Sequence, residues 1–384
     1  MKKITAFILC ALMIAFSVIP ISAEEISDVD KSALDLNCKS AILIEAETGR
    51  VLYEQNADEA LPPASVTKIM TLLLVMEAVD SGKAALDDTV TASAYAASMG
   101  GSQIFLKEGE QMPLRDMLKS VIIASANDCA VALAEHIAGS EDVFVARMNE
   151  KAKELGMKSS NFENTNGLDD TAENHVTSAR DIAVMSRELI KHKTVLEYSS
   201  LWMDTVRNGE FGLTNTNRLV RFYQGATGLK TGSTAKAGFC ISATAERDGL
   251  SLIAVIMASP SRDERNEAAK SLLDWGFANY ALYKDLPELT QNVKVIGGCK
   301  ESIEITSQSF SAVVAKGSEK SIERKIELSD ELVAPVRQGD KIGCVKYVQN
   351  GKIIGETDIC AKESIDKISF FDVLMRILSI LYMR

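Results

Sequence analysis

Ser65 and Lys68 are a pair of residues whose types and spacing could do chemistry. They lie three residues apart in an apolar segment with helical character, and residues at i and i+3 share one face of a helix. A serine hydroxyl becomes a useful nucleophile only when a base takes its proton. A lysine amine can be that base if burial or a neighbouring cation lowers its pKa well below the usual value of about 10.4. The pair therefore predicts covalent catalysis by a lysine-activated serine.

The segment that carries this pair predicts a helix from Ser65 to about Val79, which Ser81-Gly82 ends. Ser65 follows Pro62-Pro63-Ala64, so the serine is expected near the start of that helix. The partial positive charge of a helix N-terminus favours negative charge at this position.

Serine and lysine with this spacing occur three times in the chain, so the spacing alone is weak evidence. Ser233–Lys236 lies in a strand-like run, where residues at i and i+3 point to opposite faces. Ser364–Lys367 precedes the apolar C-terminal segment. What distinguishes Ser65–Lys68 is the order of the segments that follow it. Ser125-Ala126-Asn127 lies in a break between two predicted helices, and Lys230-Thr231-Gly232 opens a predicted strand.

The elements that must position these residues alternate between helix and strand signals. Segments with helical periodicity are Leu114–Ile123, Asp128–Ile137, Asp142–Leu155, Ser178–Ile190 and about Arg265–Tyr280. Segments with strand character are Ser40–Glu54, which predicts a hairpin, and Gly228–Ala235, Ala237–Ala245 and Leu250–Met257. Asp248-Gly249 between the last two is typical of a hairpin turn. The order predicts an antiparallel sheet flanked by helices, in the α/β (α+β) class.

Longer stretches around the motifs resemble a known family. Leu61–Thr71, Ala126–Glu135 and Thr227–Cys240 resemble the motif segments of the serine D-alanyl-D-alanine carboxypeptidases, low-molecular-weight penicillin-binding proteins of the S11-like peptidase family. Asn164–Leu168 and His175–Asp181 resemble further family stretches, and the likeness covers essentially the whole chain. It implies a β-lactamase/DD-peptidase-like domain, then a small all-β domain and a C-terminal amphipathic helix.

The resemblance implies a role for each motif residue. Ser65 is expected to attack the penultimate D-Ala carbonyl of a peptidoglycan stem pentapeptide and form an acyl-enzyme, with Lys68 as the main proton acceptor. Ser125 would relay the proton to the leaving D-Ala amine, and Lys230 would hold Ser125 and steer the anionic substrate. Asn127 would hold the substrate amide and steady Lys68. The same chemistry predicts covalent acylation by β-lactams.

Four further residues are expected to bind the substrate. Thr231 would hydrogen-bond its terminal carboxylate, and Gly232 would let the strand backbone approach it closely. The backbone N–H groups of Ser233 and of the nucleophile would form an oxyanion hole. Arg265 occupies a position where relatives carry a basic residue near the terminal carboxylate of the substrate. Two alternatives stay open: Arg262 could be that basic residue, or Arg265 could be only a surface residue of its helix.

Other functions share this motif set. A β-lactamase needs fast deacylation, which class A enzymes achieve with a loop glutamate, and Glu163–Asn166 is not a convincing match to that loop. A D,D-endopeptidase that cuts crosslinks stays open. A catalytically vestigial wall-binding protein is disfavoured because every motif side chain is intact.

Ala126 stands where relatives often carry Gly or Asp, and we expect no functional effect from it. His175 is expected to be structural, because the serine–lysine pair already supplies a base.

Composition and charge exclude other classes. The chain has 384 residues, 46% hydrophobic and 25% charged, which is ordinary for a globular protein and long enough for two domains. A formal net charge of -11 disfavours nucleic-acid binding, which leaves a basic footprint. With three His and no HExxH motif, a zinc peptidase is disfavoured, and the resemblance implies no cofactor.

Six cysteines follow the N-terminal apolar run, at wide spacings and without a CxxC pair. Export would permit disulfides. We nevertheless expect buried thiols, and neither a metal site nor a redox pair, at Cys38, Cys129, Cys240, Cys299, Cys344 and Cys360.

The N-terminal and C-terminal segments of the chain both indicate where in the cell the protein acts. Lys2 and Lys3, the apolar run Ile4–Ile19 and the small residues up to Ala23 are typical of a secretory signal peptide over residues 1–23, with an uncleaved anchor helix as the alternative. Between the signal peptide and the C-terminal segment, residues 24–285 are predicted to form the peptidase domain and residues 290–362 the all-β domain. The enzyme is then expected at the extracytoplasmic face of the cytoplasmic membrane.

The C-terminal segment, residues 365–384, carries a polar residue every three or four positions on an otherwise apolar helix. This pattern favours a helix that lies in a membrane surface. The alternative is a helix packed on the protein's own core.

Overall fold

The computed structural model describes residues 34–169, 172–287, 289 and 291–382, so the predicted signal peptide of residues 1–23 lies outside the described residues. The helices are α1 (Lys68–Asp80), α2 (Ala94–Ala97), α3 (Leu114–Ile123), α4 (Asn127–Ala138), α5 (Glu141–Glu154), α6 (Ala179–Leu189), α7 (Lys193–Ser199), α8 (Leu219–Phe222), α9 (Arg262–Asn279) and α10 (Phe370–Tyr382). The strands are β1 (Ser40–Glu45), β2 (Val51–Gln55), β3 (Thr89–Thr91), β4 (Gln111–Pro113), β5 (Met203–Val206), β6 (Phe211–Thr214), β7 (Ala226–Thr234), β8 (Gly238–Arg247), β9 (Leu250–Ser259), β10 (Tyr280–Asp285), β11 (Asn292–Ile296), β12 (Ser302–Ser307), β13 (Phe310–Ala315), β14 (Ile322–Leu328), β15 (Glu331–Val333), β16 (Lys341–Gln349) and β17 (Lys352–Ala361).

A five-stranded antiparallel sheet, in the order β2-β1-β9-β8-β7, forms the frame of the first domain. The predicted β1–β2 hairpin and the predicted meander of β7, β8 and β9 are both confirmed. Strand β7 lies at one edge of the sheet, so one side of its backbone is left open. The Lys230-Thr231-Gly232 motif therefore lies on an open sheet edge.

Helices cover both faces of this sheet, as the order of elements predicted. Because side chains alternate along a strand, Ile241 and Ile256 point to the face that packs on Leu272 of α9. Ile253 and Val255 point to the opposite face, which packs on α6, and they belong to an apolar cluster that also contains residues of α1, α3 and α4. Each such side chain contributes about 1.5–3 kcal/mol when it is fully buried.

Serine caps set the start of two long helices. Ser178 Oγ accepts a hydrogen bond from Asp181 N at the start of α6. Ser261 Oγ accepts from Glu264 N, so α9 begins at Arg262, three residues before the predicted start. Arg265 consequently lies in the first turns of α9 and not at its first position.

The small all-β domain is confirmed as a six-stranded sheet, in the order β14-β16-β17-β12-β11-β15. It has its own apolar cluster, which includes Val293, Ile303, Val345, Tyr347 and Ile359. Strand β14 was not predicted, because its sequence is mostly charged and lies exposed at the edge of the sheet. Strand β10 pairs with β13 in a separate two-stranded sheet.

Helix α10 begins at Phe370, five residues after the start of the predicted 365–384 segment. The reason is that Ile365 belongs to the β domain, where its backbone exchanges hydrogen bonds with Val336 and its side chain is fully buried. Ser369 Oγ then accepts from Asp372 N and caps the helix.

The apolar side chains that the structure describes in α10 are exposed, from 38% at Leu374 and Leu378 to 90% at Tyr382. This finding contradicts the alternative of a terminal helix packed on the protein's own core. None of the helices in the described ranges has the length and apolar character to cross a membrane.

The cysteine prediction is confirmed in part. Cys129, Cys240 and Cys344 are buried thiols, and burial raises the pKa of the Cys240 thiol to about 11. Cys38 and Cys360 are half-buried. The prediction of burial is wrong for Cys299, which is exposed in the loop between β11 and β12.

Candidate active site

The nucleophile candidate, Ser65, lies in a short 3-10 turn, Ala64–Thr67, that leads directly into α1. Ala64 adopts a φ of 48°, a left-handed conformation that is uncommon for a residue with a side chain. The turn places Ser65 Oγ 2.9 Å from Lys68 Nζ. The i, i+3 spacing thus brings the two side chains together as expected.

Lys68 is fully buried, and its ammonium group has three hydrogen-bond acceptors. Besides Ser65 Oγ, these are Asn127 Oδ1 at 2.6 Å and the backbone oxygen of Asn166 at 2.8 Å. Burial, and then the charge of Lys230, lower the pKa of Lys68 well below its usual value, while Asp128 opposes the shift. A neutral amine is therefore accessible at this position.

The identity of the three acceptors decides where the lone pair of that amine points. The Asn166 carbonyl can only accept, and Asn127 presents its amide oxygen because its Nδ2 donates to Gly100 O at 2.7 Å. A neutral amine has two N–H groups, which these two acceptors take. The remaining lone pair faces Ser65 Oγ, so the deprotonated Lys68 is oriented to receive the proton of Ser65.

Ser125 and Lys230 form a second buried pair. Ser125 adopts a φ of 63° in the turn between α3 and α4, which directs its hydroxyl to the side of β7. Lys230 Nζ donates to Ser125 Oγ at 2.9 Å and to Thr231 O at 2.8 Å. Burial, and then the charge of Arg265, lower the pKa of Lys230 to about 7.

Gly232 is required where β7 passes the nucleophile turn. A Cβ at this position would lie 2.8 Å from Pro63 O and 2.8 Å from Ser65 N. The close approach therefore brings the strand to the nucleophile turn, whereas the sequence led us to expect an approach to the substrate. Ser233 follows on the same edge and is exposed, and Thr231 Oγ1 donates to Thr216 Oγ1 at 2.9 Å.

A cleft of about 370 Å³ opens along this edge. The expected site residues that line it are Ser65, Ser125, Thr231, Gly232, Ser233 and Arg265. Lys68, Asn127 and Lys230 are buried beside it through the hydrogen bonds described above. Sequence reasoning missed other lining residues, among them Ser102, Trp202, Thr216 and Arg218, and treated Arg262 only as an alternative to Arg265.

Arg265 is 3% exposed and forms part of the cleft wall. Its guanidinium donates to Asn266 Oδ1 at 2.9 Å and to Cys240 O at 3.5 Å. Burial, and then the charge of Arg262, lower the pKa of Arg265 to about 10, so it stays charged at neutral pH.

The loop that supplies the Asn166 carbonyl is held against the nucleophile turn. Asn164 Oδ1 accepts from Gly167 N at 2.7 Å and closes the loop. Gly167 has a φ of 82°, and a Cβ there would lie 1.9 Å from Ala64 O. The Asn-Gly pair signals a turn, but a backbone acceptor leaves no side-chain signature, so the part played by Asn166 was not predicted.

His175 connects the nucleophile turn to the segment that contains Glu163 through two hydrogen bonds. Its Nδ1 accepts from Glu163 N at 3.0 Å, so the proton lies on Nε2, which donates to Thr67 Oγ1 at 2.7 Å. Burial lowers the pKa of His175 to about 4, so the ring is neutral at pH 7. The histidine therefore has a structural position beside the cleft.

Comparisons with known proteins agree with this geometry. Residues 27–261 match the family model described as D-alanyl-D-alanine carboxypeptidase, and residues 277–367 match the C-terminal domain of penicillin-binding protein 5. The chain is 41% identical to D-alanyl-D-alanine carboxypeptidase DacF of Bacillus subtilis, over 98% of each chain.

Two groups of solved structures are also similar. Penicillin-binding protein 5 of Haemophilus influenzae superposes with a TM-score of 0.75 at 31% identity, covering 87% of this chain and 98% of that one. Penicillin-binding protein D2 of Listeria monocytogenes, solved in an ampicillin-bound form, has a TM-score of 0.56 and 34% identity, covering 64% of this chain and 99% of that one. With the matched family model and the full-length relative, these findings show that the chain belongs to the family of serine-type D-alanyl-D-alanine carboxypeptidases.

Proposed function

We propose that this protein removes the terminal D-Ala from peptidoglycan stem pentapeptides through an acyl-enzyme on Ser65. The observation that carries the proposal is the fully buried Lys68, whose Nζ lies 2.9 Å from Ser65 Oγ and whose other two acceptors are fixed. A buried amine with a lowered pKa next to a hydroxyl is the arrangement that a lysine general base requires.

Acylation begins when Lys68 takes the proton of Ser65 Oγ and the oxygen attacks the carbonyl of the penultimate D-Ala. A Cβ at Gly232 would lie 2.8 Å from Ser65 N, and Ser233 is the next residue of β7, so we assign the oxyanion hole to the backbone N–H groups of Ser65 and Ser233. One such donor is worth about 2.7–4 kcal/mol in the transition state.

The leaving D-Ala amine needs a proton, and we assign its delivery to Ser125, which Lys230 polarises from 2.9 Å. Water then hydrolyses the Ser65 ester with Lys68 again as base, which releases the shortened stem peptide. We assign the carboxylate of the terminal D-Ala to Thr231 and Arg265, which line the cleft, and to the charge of Lys230, which is buried beside it.

The affinity for the substrate carboxylate is expected to fall as pH rises. Lys230 has a pKa of about 7, so it is charged below this pH and loses its charge above it. Loss of one charge-assisted hydrogen bond is expected to raise KM by about 10-fold. The measurement is KM for a D-Ala-D-Ala peptide between about pH 6 and 9. Lys230→Arg stays charged and should flatten the dependence, and a flat KM in the unaltered enzyme would contradict the assignment.

The acyl-enzyme is tested with penicillin and the full-length protein. After digestion, mass spectrometry should locate an adduct on the peptide that contains Ser65, and the adduct should be absent in Ser65→Ala. D-Ala release from a D-Ala-D-Ala peptide then establishes the carboxypeptidase reaction. If the folded protein forms no adduct, the serine mechanism is wrong and a wall-binding function is favoured. Rapid turnover of penicillin would instead favour a β-lactamase.

We further propose that the enzyme acts at the extracytoplasmic face of the cytoplasmic membrane. Support for export is the signal-peptide pattern of residues 1–23. Support for membrane attachment is α10, whose exposed residues include Phe370 at 83%, Phe371 at 68% and Leu381 at 66%. In this arrangement residues 24–285 catalyse and α10 lies in the membrane surface.

Substitution of two apolar residues of α10 is expected to weaken binding to phospholipid vesicles. Burial of a Phe or Leu side chain contributes about 1.5–3 kcal/mol, so Phe371→Ser with Leu381→Ser should lower the vesicle partition coefficient by roughly 100-fold or more. Vesicle sedimentation measures this coefficient. Ile353→Ser, an exposed apolar residue of the β domain, is the control and should bind as the unaltered protein does. Equal binding by all three proteins would refute the anchor.

A further inference from the structure

Asp128 is a buried carboxylate to which the proposed reaction assigns no role. It is the second residue of α4, directly after Asn127, and it is fully buried. A buried carboxylate costs free energy unless hydrogen bonds compensate it. Its oxygens accept from the backbone N–H groups of Cys129 at 2.9 Å, Ile104 at 3.1 Å and Leu106 at 3.0 Å. Only the first of these bonds lies within α4, so Asp128 does more than stabilise the start of its own helix.

The other two bonds hold residues 100–106, an irregular segment between α2 and β4 that we call the 100–106 segment. Both residues of the segment that donate to Asp128 are buried, whereas Phe105 between them is 65% exposed and has a φ of 61°. Such a left-handed conformation is uncommon for a residue with a side chain and persists only where the surroundings fix it. Arg207 Nη1 donates to the backbone oxygen of Ile104 at 2.8 Å, so the segment is held both at its N–H groups and at a carbonyl.

The other end of the 100–106 segment fixes Asn127. The backbone N–H of Asn127 donates to Ser102 O at 2.7 Å, and its Nδ2 donates to Gly100 O at 2.7 Å. A Cβ at Gly101 would lie 2.8 Å from Asn127 Nδ2, so the segment passes the amide in close contact. Because Nδ2 is held by the segment, Oδ1 faces Lys68 Nζ, at 2.6 Å. A shift of the segment would therefore displace an acceptor that orients Lys68.

Asp128 also acts on Lys68 through its charge. Burial, and then the charge of Lys230, lower the pKa of Lys68, and the charge of Asp128 opposes this shift. Two further groups of this region can carry charge: the Cys129 thiol, whose pKa burial and then Asp128 raise, and the Arg207 guanidinium. Loss of the carboxylate charge would lower the pKa of Lys68 further.

We propose that Asp128 is a positioning residue for the acylation of Ser65. It holds the 100–106 segment in place, and the segment directs the amide oxygen of Asn127 to Lys68. Asp128 is not among the residues that line the cleft, so it acts through its neighbours and not on the substrate. The inference rests on the proposed function, because it concerns the base that forms the acyl-enzyme.

Two variants separate the position of the segment from the charge of the carboxylate. Asp128→Ala removes the charge and both acceptor oxygens, so the limiting rate of acylation by penicillin should fall by about 10- to 100-fold, the effect of one hydrogen bond to a charged group. Asp128→Asn removes the charge but keeps one acceptor oxygen for the segment, and should recover part of this rate. In both variants the rate should reach its plateau at a lower pH than in the unaltered enzyme, because a base with a lower pKa loses its proton earlier as pH rises.

The measurement is the second-order rate constant of Ser65 acylation in the full-length protein, followed by mass spectrometry between about pH 5 and 10. Asp142→Ala is the matched control, because Asp142 is the second residue of α5, as Asp128 is of α4, but is exposed. It should leave the rate and its pH dependence unchanged. A role of Asp128 in stability alone would lower the melting temperature and move neither readout in the folded protein.

Gly101→Ala tests the segment without altering Asp128, and it decides the matter if Asp128→Ala does not fold. Its Cβ would press on Asn127 Nδ2, so the limiting rate should fall while the pH of half-maximal rate stays unchanged. An unaltered limiting rate in Asp128→Ala or Gly101→Ala, an equal loss of rate in the two Asp128 variants, or an unmoved pH dependence in both would each overturn the inference while the acyl-enzyme stands. Absence of a penicillin adduct on Ser65 of the unaltered protein would overturn the proposed function as well.

Discussion

Replacement of Lys68 by Ala is expected to lower the rate of Ser65 acylation by penicillin by about 10²–10⁴-fold, the range that a positioned general base supplies. The amine is fully buried, and two of its three acceptors fix its lone pair on Ser65 Oγ. Without it, the serine has no base within hydrogen-bond distance in the described part of the chain. The measurement is the second-order acylation rate constant, followed by mass spectrometry.

Two further variants isolate the role of the amine from that of its charge. Lys68→Arg retains a cation, but a guanidinium does not deprotonate in proteins, so this variant should be as slow as Lys68→Ala. Lys367→Ala removes the lysine of the third serine–lysine match and should acylate at the unaltered rate, because Lys367 is exposed in the β domain. A Lys68→Arg enzyme with near-normal acylation would refute the general-base assignment.

Thermal unfolding is the necessary companion measurement for Lys68→Ala. The substitution leaves Asn127 Oδ1 and the Asn166 carbonyl without a donor, and each unsatisfied buried acceptor costs about 1–3 kcal/mol. Removal of a buried cation offsets part of this loss. The acylation rate is compared at a temperature at which both proteins are folded, so the chemical effect is separated from the effect on stability.

The elements that position the site were largely predictable because their signals are local. Helical periodicity gave Leu114–Ile123 at its observed bounds, and Asp248-Gly249 marked the turn between β8 and β9. Such signals arise from side chains a few residues apart. The order of the motifs along the chain then indicated which of the three serine–lysine pairs could act.

Parts of the site that depend on distant contacts were not predictable from one sequence. Asn166 acts through a backbone carbonyl that is 98 residues from Lys68 in the chain, and any residue type supplies a carbonyl. Arg218 lies at the cleft because distant contacts hold its segment there, among them the hydrogen bonds from Thr231 Oγ1 to Thr216 Oγ1 and from Asn217 Nδ2 to the backbone oxygen of Gly228. Exposed arginines are common on protein surfaces, so nothing in the type or spacing of Arg218 marks it as part of a cleft.

The predicted bounds of helices and strands were wrong where tertiary contacts override a local sequence pattern. Ile365 continues the apolar periodicity of α10, yet its backbone pairs with Val336 and its side chain is buried in the β domain. Strand β14 is the opposite case, since a charged edge strand has no apolar alternation to detect. In both cases the pairing partner, which the sequence does not identify, decides the structure.

Replacement of Gly232 by Ala is the second large effect that we expect. The added Cβ would lie 2.8 Å from Pro63 O and Ser65 N and 2.9 Å from Val66 N, all of them backbone atoms. Backbone cannot move aside as the end of a flexible side chain can, so β7 and the nucleophile turn must separate. Overpacking of this kind costs about 1–3 kcal/mol of unfolding free energy.

The catalytic loss should exceed the loss of stability. A shift of about 1 Å in a reacting group can cost roughly 10²-fold in rate, and the separation displaces Ser65 from the edge that carries Ser233. We therefore expect Gly232→Ala to acylate about 10²-fold more slowly than the unaltered enzyme. The variant is compared by penicillin acylation and by thermal unfolding.

Gly212 in β6 provides a matched control for this substitution. A Cβ at Gly212 meets no heavy atom within 4 Å, and its backbone is not in the left-handed region, so Gly212→Ala should behave as the unaltered enzyme. Normal acylation by Gly232→Ala would mean that the strand relaxes without moving the serine, and the contact of β7 with the nucleophile turn would then not set the position of Ser65. Slow acylation with an unchanged melting temperature would instead show that the contact acts on catalysis alone, because the turn moves while the core of the sheet stays intact.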